Sequence, residues 1–123
     1  MNSVNTAGML ENVRKICLAL PEAVEIIDGF GHKTFKVNGK SFVITGENEK
    51  GFNLSFKSDR ETQALLLQKE YFFKTPYIGQ HGWVSIQNPN GEVWDELADL
   101  IQEAYLRAAP KRLVQKWKEL HTN

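Results

Sequence analysis

The dipeptide Asn38-Gly39, set between two alternating runs, constrains this chain more than any other feature. Gly31-His32-Lys33-Thr34-Phe35-Lys36-Val37 precedes it and Lys40-Ser41-Phe42-Val43-Ile44-Thr45 follows it. A two-residue type I′ turn needs positive φ at both central positions, and Asn-Gly tolerates this best. Such a turn sets a register of Val37 opposite Lys40, Lys36 opposite Ser41, Phe35 opposite Phe42, Thr34 opposite Val43 and Lys33 opposite Ile44. Side chains alternate along a strand. Phe35, Val37, Phe42 and Ile44 are therefore expected on a core face. His32, Thr34, Lys36, Ser41, Val43 and Thr45 are expected on a second face that is polar and mildly basic.

The rest of the chain supplies layers for this hairpin. Met1 to Asn5 reads as a frayed start. Thr6 can cap a helix to about Leu20, with Met9, Leu10, Val13, Ile16, Cys17 and Leu20 on one stripe and Pro21 ending it. In the connection from Glu22 to Gly31, Val24, Ile26 and Ile27 form either an extra turn or a brief strand. Gly46 to Gly51 is a second turn. Phe52 to Lys57 is a third strand, with Phe52, Leu54 and Phe56 inward. Ser58-Asp59-Arg60-Glu61 has the form of a capping box and predicts a helix to about Glu70, partly buried through Leu65, Leu66 and Leu67.

Tyr71 to Gly82 reads as a short strand or extended piece followed by a glycine-flanked loop. Trp83 to Gln87 is the last strand and Asn88 to Gly91 a turn. An amphipathic helix follows to about Ala109, with Val93, Leu97, Leu100, Ile101, Ala104 and Tyr105 on one side. Pro110 breaks it before a last helix, Lys111 to Leu120. These elements predict an α+β fold: a single domain over residues 1–123, with an antiparallel sheet of four to five strands and helices packed on one face.

Charge narrows the function. The 15 basic and 15 acidic residues cancel, which argues against a protein whose whole body grips nucleic acid and leaves a local patch possible. Such a patch is expected where Lys33, Lys36, Lys40, Lys50 and Lys57 outweigh Glu47 and Glu49. The helix near the C-terminus is acidic and the tail after it basic. An open sheet face with lysines and an aromatic suits stacked bases and paired phosphates. The same lysines serve solubility and edge protection equally well. Trp83 points outward if Val84 and Ile86 point in, or else tucks under the loop from Thr75 to Gly82.

No apolar run approaches the roughly 20 residues of a membrane-spanning helix, and no signal pattern opens the chain, so a cytoplasmic setting is expected. The lone cysteine, Cys17, lies mid-stripe and reads as a buried structural thiol. His32, His81 and His121 fall in no metal-binding spacing. No catalytic residues, metal site or cofactor are expected.

Two stretches bear a resemblance. Leu20-Pro21-Glu22-Ala23-Val24-Glu25 and Phe30-Gly31-His32-Lys33-Thr34-Phe35-Lys36-Val37-Asn38-Gly39-Lys40 look like the MmcQ/YjbR family of small bacterial proteins. Trp83-Val84-Ser85-Ile86 and the acidic helix with Glu96-Leu97 and Ile101-Gln102-Glu103-Ala104-Tyr105 resemble its C-terminal half. The resemblance spans about Leu10 to Ala109. It implies a frataxin (CyaY)-like fold, an unassigned biochemical role, and DNA binding through two wings. Here the wings are the Asn38-Gly39 hairpin and the loop around Gly79 to Gly82. One departure matters. Relatives often carry a Lys-Arg-His-Trp run before the last strand, where this chain has Gly79-Gln80-His81-Gly82-Trp83. Two cations are missing, and each lost phosphate contact weakens binding and its salt dependence.

The expected nucleic-acid contacts are Lys33, Lys36, Lys40, Lys57, His81 and Trp83, with Lys33 and Lys40 on the core side near strand ends. The alternatives are a protein–protein adaptor using the same face or the acidic helix, a small-ligand-binding protein and, less favoured, an enzyme using His32 or His81. Oligomeric state is open.

Overall fold

The computed structural model describes residues 2–121, with side chains from Thr6 onward. Helix α1 (Asn2–Leu18) is followed by strands β1 (Val24–Ile27), β2 (Lys33–Val37), β3 (Lys40–Asn48) and β4 (Gly51–Phe56). Then come α2 (Arg60–Leu66), β5 (Phe72–Lys74), a 3-10 turn (Gly79–His81), β6 (Val84–Gln87), α3 (Val93–Ala108) and α4 (Lys111–Leu120). The sheet is antiparallel with six strands in the order β1-β2-β3-β4-β6-β5, not the expected four to five. The two segments that the sequence leaves ambiguous, β1 and β5, both form strands, and each lies at an edge of the sheet.

The helices cover one face. α1 and α3 pack on each other and across β3 and β4. Val13 and Cys17 of α1, Leu97, Ile101 and Tyr105 of α3, and Leu113 of α4 join Phe35, Val37, Leu54, Phe56 and Val84 of the sheet in one core. Burying a side chain of this size contributes about 1.5–3 kcal/mol. Tyr105 is fixed at both ends. Its ring meets Phe42 edge-on at 5.7 Å and its hydroxyl donates to the Pro21 carbonyl at 2.7 Å.

The Asn38-Gly39 turn forms with φ of 50° and 78°, as a type I′ turn requires. The register then departs from expectation. Lys36 pairs with Ser41, but Phe35 pairs with Val43, Thr34 with Ile44 and Lys33 with Thr45. Phe42 is an extra residue, a β-bulge. The bulge lets the consecutive residues Phe42 and Val43 both reach zero exposure, which strict alternation forbids. Beyond it every side chain changes face: Val43 and Thr45 turn to the core side and Ile44 to the open side.

Other boundaries shift for local reasons. α1 begins four residues before Thr6, while Met1 lies outside the described residues. Asp59, not Ser58, caps α2, accepting from the Thr62 amide at 2.7 Å. α2 ends at Leu66, the one leucine of its triplet that is buried; Leu65 and Leu67 stay exposed. β3 runs through Gly46 to Asn48, leaving Glu49-Lys50 as the turn before β4, where the Asn48 side chain accepts from the Lys50 amide.

Candidate nucleic-acid interface

The face without helices carries the side chains that alternate away from the core. Ile26 of β1, Thr34 and Lys36 of β2, Ser41 and Ile44 of β3, Asn53 and Ser55 of β4, Ser85 and Gln87 of β6 and Phe73 of β5 share it by register. Three shallow recesses run along this face. The first, about 400 Å³, lies around Ile26, His32, Lys36 and Ile44. The second, about 220 Å³, shares His32 and Ile44 with it and reaches Asn53 and Ser55. The third, about 350 Å³, continues from Asn53 and Ser55 to Phe73, Pro76 and Gln87. Under the third recess a chain of hydroxyls crosses the strands: Ser55 to Ser85 at 2.6 Å and Ser85 to Thr75 at 2.8 Å.

A built turn borders the first recess. The Phe30 and His32 amides donate to Asp28 Oδ1 at 2.8 and 2.9 Å, and His32 Nδ1 lies 3.0 Å from Oδ2. Partial loss of water pushes the Asp28 pKa up. The His32 amide, the Phe30 amide and the His32 ring together outweigh this and hold it below the usual aspartate value. The ring lies over Gly46, so close that a Cβ there would stand 2.8 Å from His32 Cδ2. Glycine at 46 is what makes room for the histidine.

The expected contacts do not all converge. The pairings of Val43 with Phe56 and of Phe56 with Val84 place the start of β3, the end of β4 and the start of β6 at one end of the sheet. Lys36, Lys40, Lys57 and His81 gather at that end. The Lys57 ammonium donates to the His81 carbonyl at 2.6 Å and its amide to the Phe42 carbonyl at 3.0 Å, so one residue ties the hairpin to the second loop.

Lys33 stands apart. It pairs with Thr45 on the helix side and lines a recess of about 240 Å³ with Thr6, Leu10 and Phe52. Trp83 is 7% exposed. Its carbonyl accepts from the Thr75 amide at 3.3 Å and the Gln63 side chain at 2.9 Å. Of the two placements the sequence allows, the buried one is found, so Trp83 offers no stacking surface.

Phe73 and Tyr77 went unrecognised as site residues. Phe73 is 40% exposed on the open face, and Tyr77 is 95% exposed with a φ of 67°. Alternation in β5 marks Phe73 once Phe72 is assigned inward; no sequence signal marks Tyr77. Arg60 also reaches the second loop, donating to the Gln80 carbonyl at 3.4 Å. Cys17 is fully buried, and burial pushes its thiol far up from the ordinary range, which removes it as a nucleophile. Among the described residues no three His, Cys, Asp or Glu side chains come together to hold a metal ion.

Comparisons with known proteins agree with this architecture. A family model described as YjbR matches residues 18–107. The crystal structure of Deinococcus radiodurans protein DR2400, with domain DUF419, superposes with a TM-score of 0.67 at 24% identity. The match covers 79% of this chain and 75% of that one. No curated protein matches at a significant level. With the model spanning most of its length, from the end of α1 through nearly all of α3, the chain belongs to the YjbR family.

Proposed function

We propose that the protein binds DNA along the open sheet face, entering from the end where the hairpin and the Gly79–Gly82 loop meet. The supporting observation is the row of adjoining recesses from Lys36 to Phe73, floored by Asn53, Ser55 and Gln87 and left uncovered by the described helices. Lys36, Lys40, Lys57 and His81 supply the phosphate end, and Phe73 takes the stacking role in place of the buried Trp83. Lys33 drops out because it serves the other face. The setting is the cytoplasm and the layered arrangement frataxin-like, with the helix-free face as the working surface. No described helix is long and apolar enough to cross a membrane.

Anisotropy of labelled single-stranded and duplex oligonucleotides tests this. The three lysine–phosphate contacts give single-strand affinity a log–log salt slope of about −2, a loss of about twentyfold between roughly 50 and 200 mM salt. Lys36→Glu flattens that slope and Phe73→Ala weakens binding at all salts. Absence of binding at low salt sinks the proposal. A small-ligand role has one observation in its favour, the apolar recess between Leu10 and Phe52.

A further inference from the structure

The two edges of the sheet are managed differently. β5 is three residues long, and Pro76 follows it closely. β1 carries no lysine or proline, and its Val24, Ile26 and Ile27 are 49%, 43% and 63% exposed. An edge of this kind templates pairing with another strand.

Backbone parity fixes which groups it offers. The Asp28 amide donates to the His32 carbonyl at 3.0 Å. Antiparallel pairs alternate between bonded and non-bonded, so Ile26 and Val24 also direct their amides and carbonyls toward β2. By the same parity Glu25 and Ile27 direct theirs outward, away from β2. Two outward residues flanking Ile26 are complementary to their own two-fold image. Glu25 of one copy faces Ile27 of the other, each pair exchanging two bonds, and Ile26 meets Ile26 at the axis. The edge's one charge does not oppose this. Glu25 is neutralised by a two-pronged pairing with Arg14, at 2.8 and 2.9 Å, and in this register it faces isoleucine rather than a second glutamate.

We propose that two copies of this chain pair through β1, antiparallel and centred on Ile26, to form one continuous sheet with both open faces on the same side. The proposal stands independently of nucleic-acid binding.

Sedimentation over micromolar to near-millimolar concentration tests it, with circular dichroism confirming that each variant is folded. The wild type shifts from monomer to dimer, and Ile26→Lys, which sets two cations opposite each other, raises the dissociation constant about tenfold or more. A second variant reports register without relying on affinity. Directly opposed Cβ atoms in a non-bonded pair stand about 4.5–5.5 Å apart, close enough for a disulfide to form with slight adjustment. Ile26→Cys then cross-links under mild oxidation many times faster than Val24→Cys, while buried Cys17 stays silent. A monomer at every concentration with no Ile26→Cys cross-link overturns the proposal. So does a dimer that Ile26→Lys leaves intact.

Discussion

Phe72 and Phe73 are neighbours in one three-residue strand, yet they belong to different regimes. Phe72 is 4% exposed and meets Phe56 edge-on at 5.9 Å, beneath the helices. Phe73, one residue on, opposes Ser85 and lies along the groove of the open face. The covered face holds the fold and the open face is free to hold a ligand. The pair gives the largest test of that division. Phe72→Ala is expected to lose about 3–5 kcal/mol in denaturant unfolding, through lost transfer energy and the cavity left behind. Phe73→Ala is expected to change stability by less than about 1 kcal/mol and to weaken oligonucleotide binding. Equal stability losses from both would break the comparison.

Trp83 sharpens it from the other side. Just before β6 it has the parity of the open face, yet it is buried, outside the main core and with its backbone tied to Thr75 and Gln63. Trp83→Ala is therefore expected to cost about 3 kcal/mol of stability and to weaken binding only as far as the Thr75–Gly82 loop loosens. Salt titration separates the two: the slope stays near the wild-type value while the melting temperature falls.

The covered face was largely legible because burial repeats with the period of each element. Leu97, Leu100, Ile101, Ala104 and Tyr105 recur at helical spacing and are all buried; Phe52, Leu54 and Phe56 alternate and are all buried. The open face was misassigned in β3, where Phe42-Val43-Ile44-Thr45 admits two alternations. Counting from the turn selects Phe42 and Ile44 for the core. The fold buries Phe42, Val43 and Thr45, because a bulge costs little beside burying one more apolar side chain. No local pattern announces that bulge. The rest of the site depended on pairs distant in sequence. Lys57 with His81, and Ser55 with Ser85, come together only through the β4–β6 pairing.

Gly46 carries a smaller effect that still separates the faces. Its backbone has an ordinary φ, so alanine is tolerated there. The added methyl displaces the exposed His32 ring rather than any core group. Gly46→Ala is expected to change stability by less than about 1 kcal/mol while shifting the His32 ring resonances and breaking the His32–Asp28 contact. A large destabilisation would show that the ring is part of the structural framework after all.

The smallest effect concerns Asp28. Its folded pKa is depressed, so the carboxylate favours the folded turn. That contribution is fully present above the unfolded aspartate value near 3.9 and is lost as pH falls through the lower folded value. The Phe30 and His32 amides report the event directly, since both donate to Asp28 Oδ1. In an acid titration followed by amide resonances, both are expected to move together with a midpoint below 3.9. Asp28→Asn removes that transition while the core amides of β3 and β4 stay unchanged. A midpoint at or above the unfolded value would mean that the amides do not hold the carboxylate. The His32 ring would then border the open face without a fixed orientation.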